Sequence, residues 1–185
     1  MKEIKAKQIL KASYLHQKEA NNKLKSLGYK YDTELSSNDN KVFVDKFGTP
    51  NIAFRGTHKF RPKDIISDLA IATGLHKYDT RFKEAKHLTK LVEDKYGKAA
   101  NVFGDSLGGK LAEESGSHGS IITHNKATGI LDIGKTIPKR QTDYRNKNDA
   151  ISLLSLTQNH KYNNLKEKQT GKDALDILGN HKILL

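Results

Sequence analysis

The string Gly104-Asp105-Ser106-Leu107-Gly108 constrains this chain more than any other stretch, because few folds can use it. The short apolar run Asn101-Val102-Phe103 precedes it, and the helix-forming run from Leu107 to Glu114 follows it. A strand that runs straight into a helix needs a tight turn at the residue between them. A serine at that point has its Oγ lifted clear of the sheet. Side chains two residues before and after would meet neighbouring backbone, which calls for glycine on both sides. The helix aims the positive end of its dipole at the serine, and the Leu107 N–H is placed to donate to a developing oxyanion. The competing reading is a glycine-rich turn with no chemistry.

The surrounding pattern decides what kind of sheet such a turn belongs to. Residues 3–27 read as helix in two pieces, with an apolar stripe of Ile4, Ile9, Leu10, Leu15, Leu24 and Leu27 and a stop at Gly28. Residues 41–45 and 51–55 read as strands joined by a Phe-Gly-Thr-Pro turn, hence a hairpin. Residues 64–73 read as a short helix or buried segment. Residues 80–96 form an amphipathic pattern, with Phe82, Ala85, Leu88, Leu91, Val92 and Tyr96 on one face and Gly97 at the end. Residues 120–125 and 129–134 read as strands or extended segments. A polar loop leads into an apolar, strand-like run at 149–156, and residues 157–172 read as a polar loop. Strands and helices alternate from residue 41 to about 155, which predicts an α/β protein. Its central mixed sheet starts antiparallel, continues parallel, and is flanked by helices. A length of 185 residues suits one such domain over 1–185.

Composition narrows the function classes. The 33 Lys and Arg against 21 Asp and Glu give a net charge of +12, which suits an anionic partner such as a phospholipid surface. The basic residues are spread along the chain and alternate with acids, which equally suits a solvated surface. No arginine-rich stripe with interleaved aromatics marks a nucleic-acid site. There is no cysteine, so disulfides and thiolate metal sites are excluded. The histidines are dispersed, and neither a zinc signature nor a dinucleotide or phosphate-loop fingerprint occurs, so no metal or cofactor is expected. No run of about 18 apolar residues suggests a membrane-spanning helix. The start of the chain reads as an amphipathic helix and not as a signal peptide. The expectation is a cytoplasmic or assembly-associated protein rather than one secreted by an ordinary signal.

A serine hydroxyl is a weak nucleophile until a base takes its proton, so Ser106 needs a histidine and an acid, in the order Ser, Asp, His. Asp149 stands where a loop meets an apolar run, the position of an acid at a strand's C-terminal edge. Asp132, inside an alternating apolar segment, and Asp143, in a charged loop, fit less well. After Asp149 the histidines are His160, in a very polar stretch, and His181, at a turn beside an apolar terminus. His181 is preferred as the base. The acid would hold one imidazole tautomer, and the imidazole would pass the serine proton to the leaving group.

Several ordered stretches give this sequence its resemblance to the class 3 lipases, the fungal-lipase-like group of α/β-hydrolases. Ile52-Ala53-Phe54-Arg55-Gly56-Thr57 is similar to the family's strand ending in Phe-Arg-Gly and a hydroxyl residue. Asp64 to Leu69 resembles the Asp-Leu segment that follows. Gly104–Gly109 with Lys110-Leu111-Ala112 resembles the family's elbow and helix. Asn148-Asp149-Ala150 stands for its Gly-Asp-Pro acid motif, and Gly179-Asn180-His181 for its terminal histidine segment. The resemblance implies oxyanion donors at Thr57 and Leu107, and a serine esterase acting on carboxylic esters of lipids. It departs at Asp105, where the family usually has histidine, and in a shorter chain with little room for a lid. The alternative function is a lipase-like fold kept as a structural or interaction component of a larger assembly.

Overall fold

The computed structural model describes residues 3–56, 79–149 and 151–168. Two helices open it, α1 (Glu3–Ser13) and α2 (Gln17–Ser26). α2 stops where Gly28 takes φ of 82°, so that Gly28 and Tyr29 amides turn back on Lys25 and Leu24 carbonyls. Strands β1 (Lys30–Asp32), β2 (Asn40–Val44) and β3 (Pro50–Phe54) follow, then helix α3 (Asp79–Tyr96), β4 (Asn101–Asp105), α4 (Leu107–Glu114), β5 (Ile121–His124), β6 (Gln141–Asn146) and β7 (Leu165–Lys168). The turn between β2 and β3 is tied by Asp45, whose carboxylate accepts from the Phe47 and Thr49 amides.

The seven strands form one sheet in chain order, β1 to β7. β1, β2 and β3 pair antiparallel, and every pair from β3 to β7 is parallel. The sheet is thus mixed, antiparallel at its start and then parallel, with helices on both sides. Two-residue alternation sorts its side chains between two cores. Val42, Ile52, Phe54, Val102 and Ile121 pack with Ala85, Val92 and Leu111 of α3 and α4. Phe43, Ala53, Phe103 and Ile122 pack with Ile9, Leu10 and Leu24 of α1 and α2. Each buried Val, Leu, Ile or Phe side chain among these contributes roughly 1.5–3 kcal/mol of transfer free energy, and each alanine less.

The stretch 129–134, expected as a strand or extended segment, instead holds a 3-10 helix at Ile130–Asp132, and a second one, Leu153–Thr157, takes up the end of the strand-like run 149–156. The strand of this region is β6, built from Gln141-Thr142-Asp143-Tyr144-Arg145-Asn146, which sequence places in a polar, charged loop. β7 likewise lies within the stretch expected to be loop. Among the described residues no helix is long and apolar enough to cross a membrane.

Candidate functional site

Ser106 stands alone between β4 and α4 with φ of 55° and ψ of −123°. This is the first central position of a type II′ turn, ordinarily a glycine position, and a serine held there costs about 1–3 kcal/mol. The surrounding backbone over-determines it. The Ser106 amide donates to the His124 carbonyl at 3.0 Å, and its own carbonyl accepts from the Gly109 and Ala127 amides, each at 3.0 Å. The flanking glycines have the steric role read from the sequence. A Cβ on Gly104 would lie 1.9 Å from the Gly108 carbonyl oxygen, and one on Gly108 would lie 2.2 Å from that of Phe54. The helix mouth therefore packs directly on the ends of β3 and β4. Leu107, buried, is the first residue of α4, so its amide lacks a carbonyl four residues back. Gly56 closes the other side: a Cβ there would lie 3.3 Å from Ser106 Cβ.

Asp105 settles a question the sequence raises, whether its carboxylate points at the nucleophile. It is buried on the α1/α2 side of the sheet. Tyr14 donates to its Oδ2 at 2.7 Å, and His124 Nδ1 lies 3.0 Å from its Oδ1. The same Tyr14 hydroxyl accepts from the Gly56 amide at 3.3 Å. One phenol thus ties the turn after β3 to the strand end that carries Ser106. Burial, then the Asp105 carboxylate, push the Tyr14 phenol well above its ordinary value, which keeps it protonated and donating.

Asp149 lies just beyond the C-terminal end of β6, fully buried. Its amide donates to the Asn146 carbonyl, its Oδ2 accepts from the Ser152 amide at 2.9 Å and from the Ser152 hydroxyl, and its carbonyl accepts from Arg145 at 3.1 Å. β4 and β6 flank β5, so the ends carrying Ser106 and Asp149 lie about 10 Å apart at ordinary strand spacing. Thr57 and His181, and the segment 64–73, lie outside the described residues. Among the described residues no histidine ring is hydrogen-bonded to the Ser106 hydroxyl. His160 is held by the Ser155 carbonyl at 2.9 Å and by Asn164 at 3.3 Å, and His118 pairs with Glu93.

Asp132 and Asp143, which fit the triad less well by sequence, belong to a different structure on the α4 face. Asp143, expected in a loop, is buried in β6, where it accepts from Thr123 at 2.7 Å and pairs with Lys126 at 2.9 Å. Asp132 pairs with Lys110 and caps the Gly129 amide at 2.9 Å. Glu113 joins them, pairing with Lys126 at 2.5 Å, Lys110 at 3.0 Å and Lys135 at 2.8 Å. Burial pulls the Glu113 carboxyl upward, but Lys126, Lys110 and Lys135 outweigh it and hold the group well below the usual carboxylate range. Carboxylate oxygens of Glu113, Glu114 and Asp132 come within 4.8 Å of one another, a spacing open to a metal ion, yet Lys110 pairs with all three and Lys135 with both glutamates.

Against known proteins the chain matches no family model, no curated protein and no solved structure. Its own geometry is therefore the ground for any functional reading.

Sequence reasoning missed Tyr14 and His124. Histidines before Asp149 break the expected triad order, so His124 drops out of that argument. The alternation in Ile121-Ile122-Thr123-His124 was the available signal. It puts His124 on the face of Ile122, beside Asp105, its register partner in β4.

Proposed function

We propose that the chain is a serine hydrolase of α/β-hydrolase type that cleaves carboxylic esters of lipids through an acyl-enzyme on Ser106. The observation that carries this reading is the strained conformation at Ser106. A serine in a glycine conformation, locked by four backbone hydrogen-bonding groups at a strand-to-helix turn, has a cost that an inert turn would avoid by using glycine. In the reaction, Ser106 Oγ attacks the ester carbonyl while the imidazole of His181 takes its proton. Asp149, two strands along the sheet edge, orients that imidazole. The Leu107 amide and Thr57 receive the developing oxyanion. The imidazolium then protonates the leaving alcohol, and water repeats the sequence to release the acid.

A lipid ester is favoured by the rim. The loops after β5 and β6 leave this same edge of the sheet and expose Ile130, Leu131, Ile133, Leu153 and Leu156, each between 45% and 71% exposed. Aliphatic side chains left in water on adjacent loops suit contact with an acyl chain or a lipid surface. The test is labelling by a fluorophosphonate together with hydrolysis of p-nitrophenyl butyrate. Wild type labels on Ser106 and turns over, while Ser106→Ala and His181→Ala fall to background. An unlabelled wild type would sink the hydrolase reading.

A further inference from the structure

A second site lies on the α1 side of the sheet, at the ends of β5, β6 and β7. It is a cavity of about 220 Å³ whose walls include Lys7 of α1, His124 of β5, Tyr144 of β6 and Lys168 of β7. Four cationic side chains line it, the others being Lys166 and Arg145, against the two carboxylates of Glu3 and Glu167. The carboxylates are already engaged. Glu167 holds Arg145 at 2.5 Å, and Glu3 lies 3.0 Å from Lys7 and 3.9 Å from Lys168.

Lys7 is the informative residue. Its side chain is only 5% exposed, and among the described residues Glu3 is the one charge that answers it. An ammonium has three N–H donors, and Lys7 Nζ makes no well-formed hydrogen bond with any described residue. Burying an ammonium so thinly satisfied is costly unless a further acceptor arrives. The His124 ring forms part of the same wall, with its Nδ1 turned to Asp105. The lining carries four cations against two carboxylates, an excess of positive charge that matches a phosphoryl dianion better than a singly charged carboxylate.

We infer that this cavity is a phosphoryl-binding site, with Lys7 and Lys168 as its donors and the His124 ring in its wall. Arg145 adds charge, since its guanidinium is spent on Ser152, Glu167 and the Asp149 carbonyl. Lys166, exposed at the mouth, adds attraction at longer range. The inference does not depend on the hydrolase reading, although His124 links the two places through Asp105, the residue before Ser106.

The experiment titrates inorganic phosphate into the full chain at constant ionic strength made up with chloride. It follows the His124 ring and the Lys7 and Lys168 amides by NMR. Saturable shifts are expected at these residues. Lys7→Met, which keeps the buried stem, weakens phosphate by about tenfold or more, as the loss of a charged hydrogen bond predicts. Lys90→Ala, on the far side of α3, leaves affinity unchanged. Shifts that do not saturate, or the same affinity in Lys7→Met as in wild type, overturn the inference. If circular dichroism shows Lys7→Met unfolded, Lys168→Met decides, because that side chain is 51% exposed and can be replaced without disturbing the core. Unchanged affinity there also overturns it. Vesicles of phosphatidic acid in phosphatidylcholine then identify the source. Flotation of wild type but not of Lys168→Met assigns a lipid headgroup, and saturable phosphate binding without flotation assigns a soluble phosphate or phosphate ester.

Discussion

Two buried polar networks flank the Ser106 turn at one edge of the sheet, one on each face, and they hold their acids by different means. On the α4 face Glu113 and Asp143 share Lys126, while Lys110 and Lys135 reach Glu113 from outside. Every carboxylate there meets an ammonium. On the α1/α2 face Asp105 meets a phenol and an imidazole. The ionic cluster gains much attraction at a high desolvation cost, so it tolerates no missing member. The Asp105 network costs less to assemble and less to loosen.

The contrast breaks or stands on three measurements. The largest effect belongs to Lys126→Met, which leaves Glu113 and Asp143 buried without their shared cation. Urea denaturation should report a loss of about 3–5 kcal/mol. Tyr14→Phe removes one donor from Asp105 and keeps the ring, so the expected loss is about 1–3 kcal/mol. Equal losses in the two variants would erase the distinction between the faces. The third test uses pH. Glu113 is held below its ordinary value of 4.5, so in acid the unfolded chain takes up a proton that the folded chain refuses. The stability it contributes is complete above that ordinary value and drains away as pH falls toward the lower folded one. Urea midpoints measured from about pH 6 down to about pH 3 should decline less steeply in Glu113→Gln than in wild type. Parallel curves would show that the cluster does not govern the acid limb.

The parts of the fold that were legible in the sequence are those where burial and hydrophobicity coincide. The β2–β3 hairpin, α3, β4 and the turn into α4 all carry apolar side chains toward a core, and their patterns are readable. β6 was not. Gln141, Asp143, Arg145 and Asn146 are nearly inaccessible, yet none is apolar, and Glu113, Lys126 and the Asp149 carbonyl engage the first three. The reverse error occurred at 129–134, where Ile130, Leu131 and Ile133 suggest a strand but lie on the surface of a 3-10 turn. At the candidate site, Ser106 and its glycines follow from local sterics. The partners of Asp105 could not be read, since Tyr14 lies 91 residues away and only the closed sheet brings them together.

Because the seven strands lie side by side in the order in which they are made, each later parallel strand finds its neighbour already in place. From β4 onward the growing edge is extended one segment at a time, with only a short excursion to close at each step. The exceptions are α1 and α2, which are made first and yet cover Phe43, Phe103 and Ile122, residues contributed later. During synthesis these helices would wait with their apolar stripes unmatched, and the second core would be sealed only after β5 had joined the sheet. The order of strands thus makes α1 and α2 the elements that depend most on the strands that follow them.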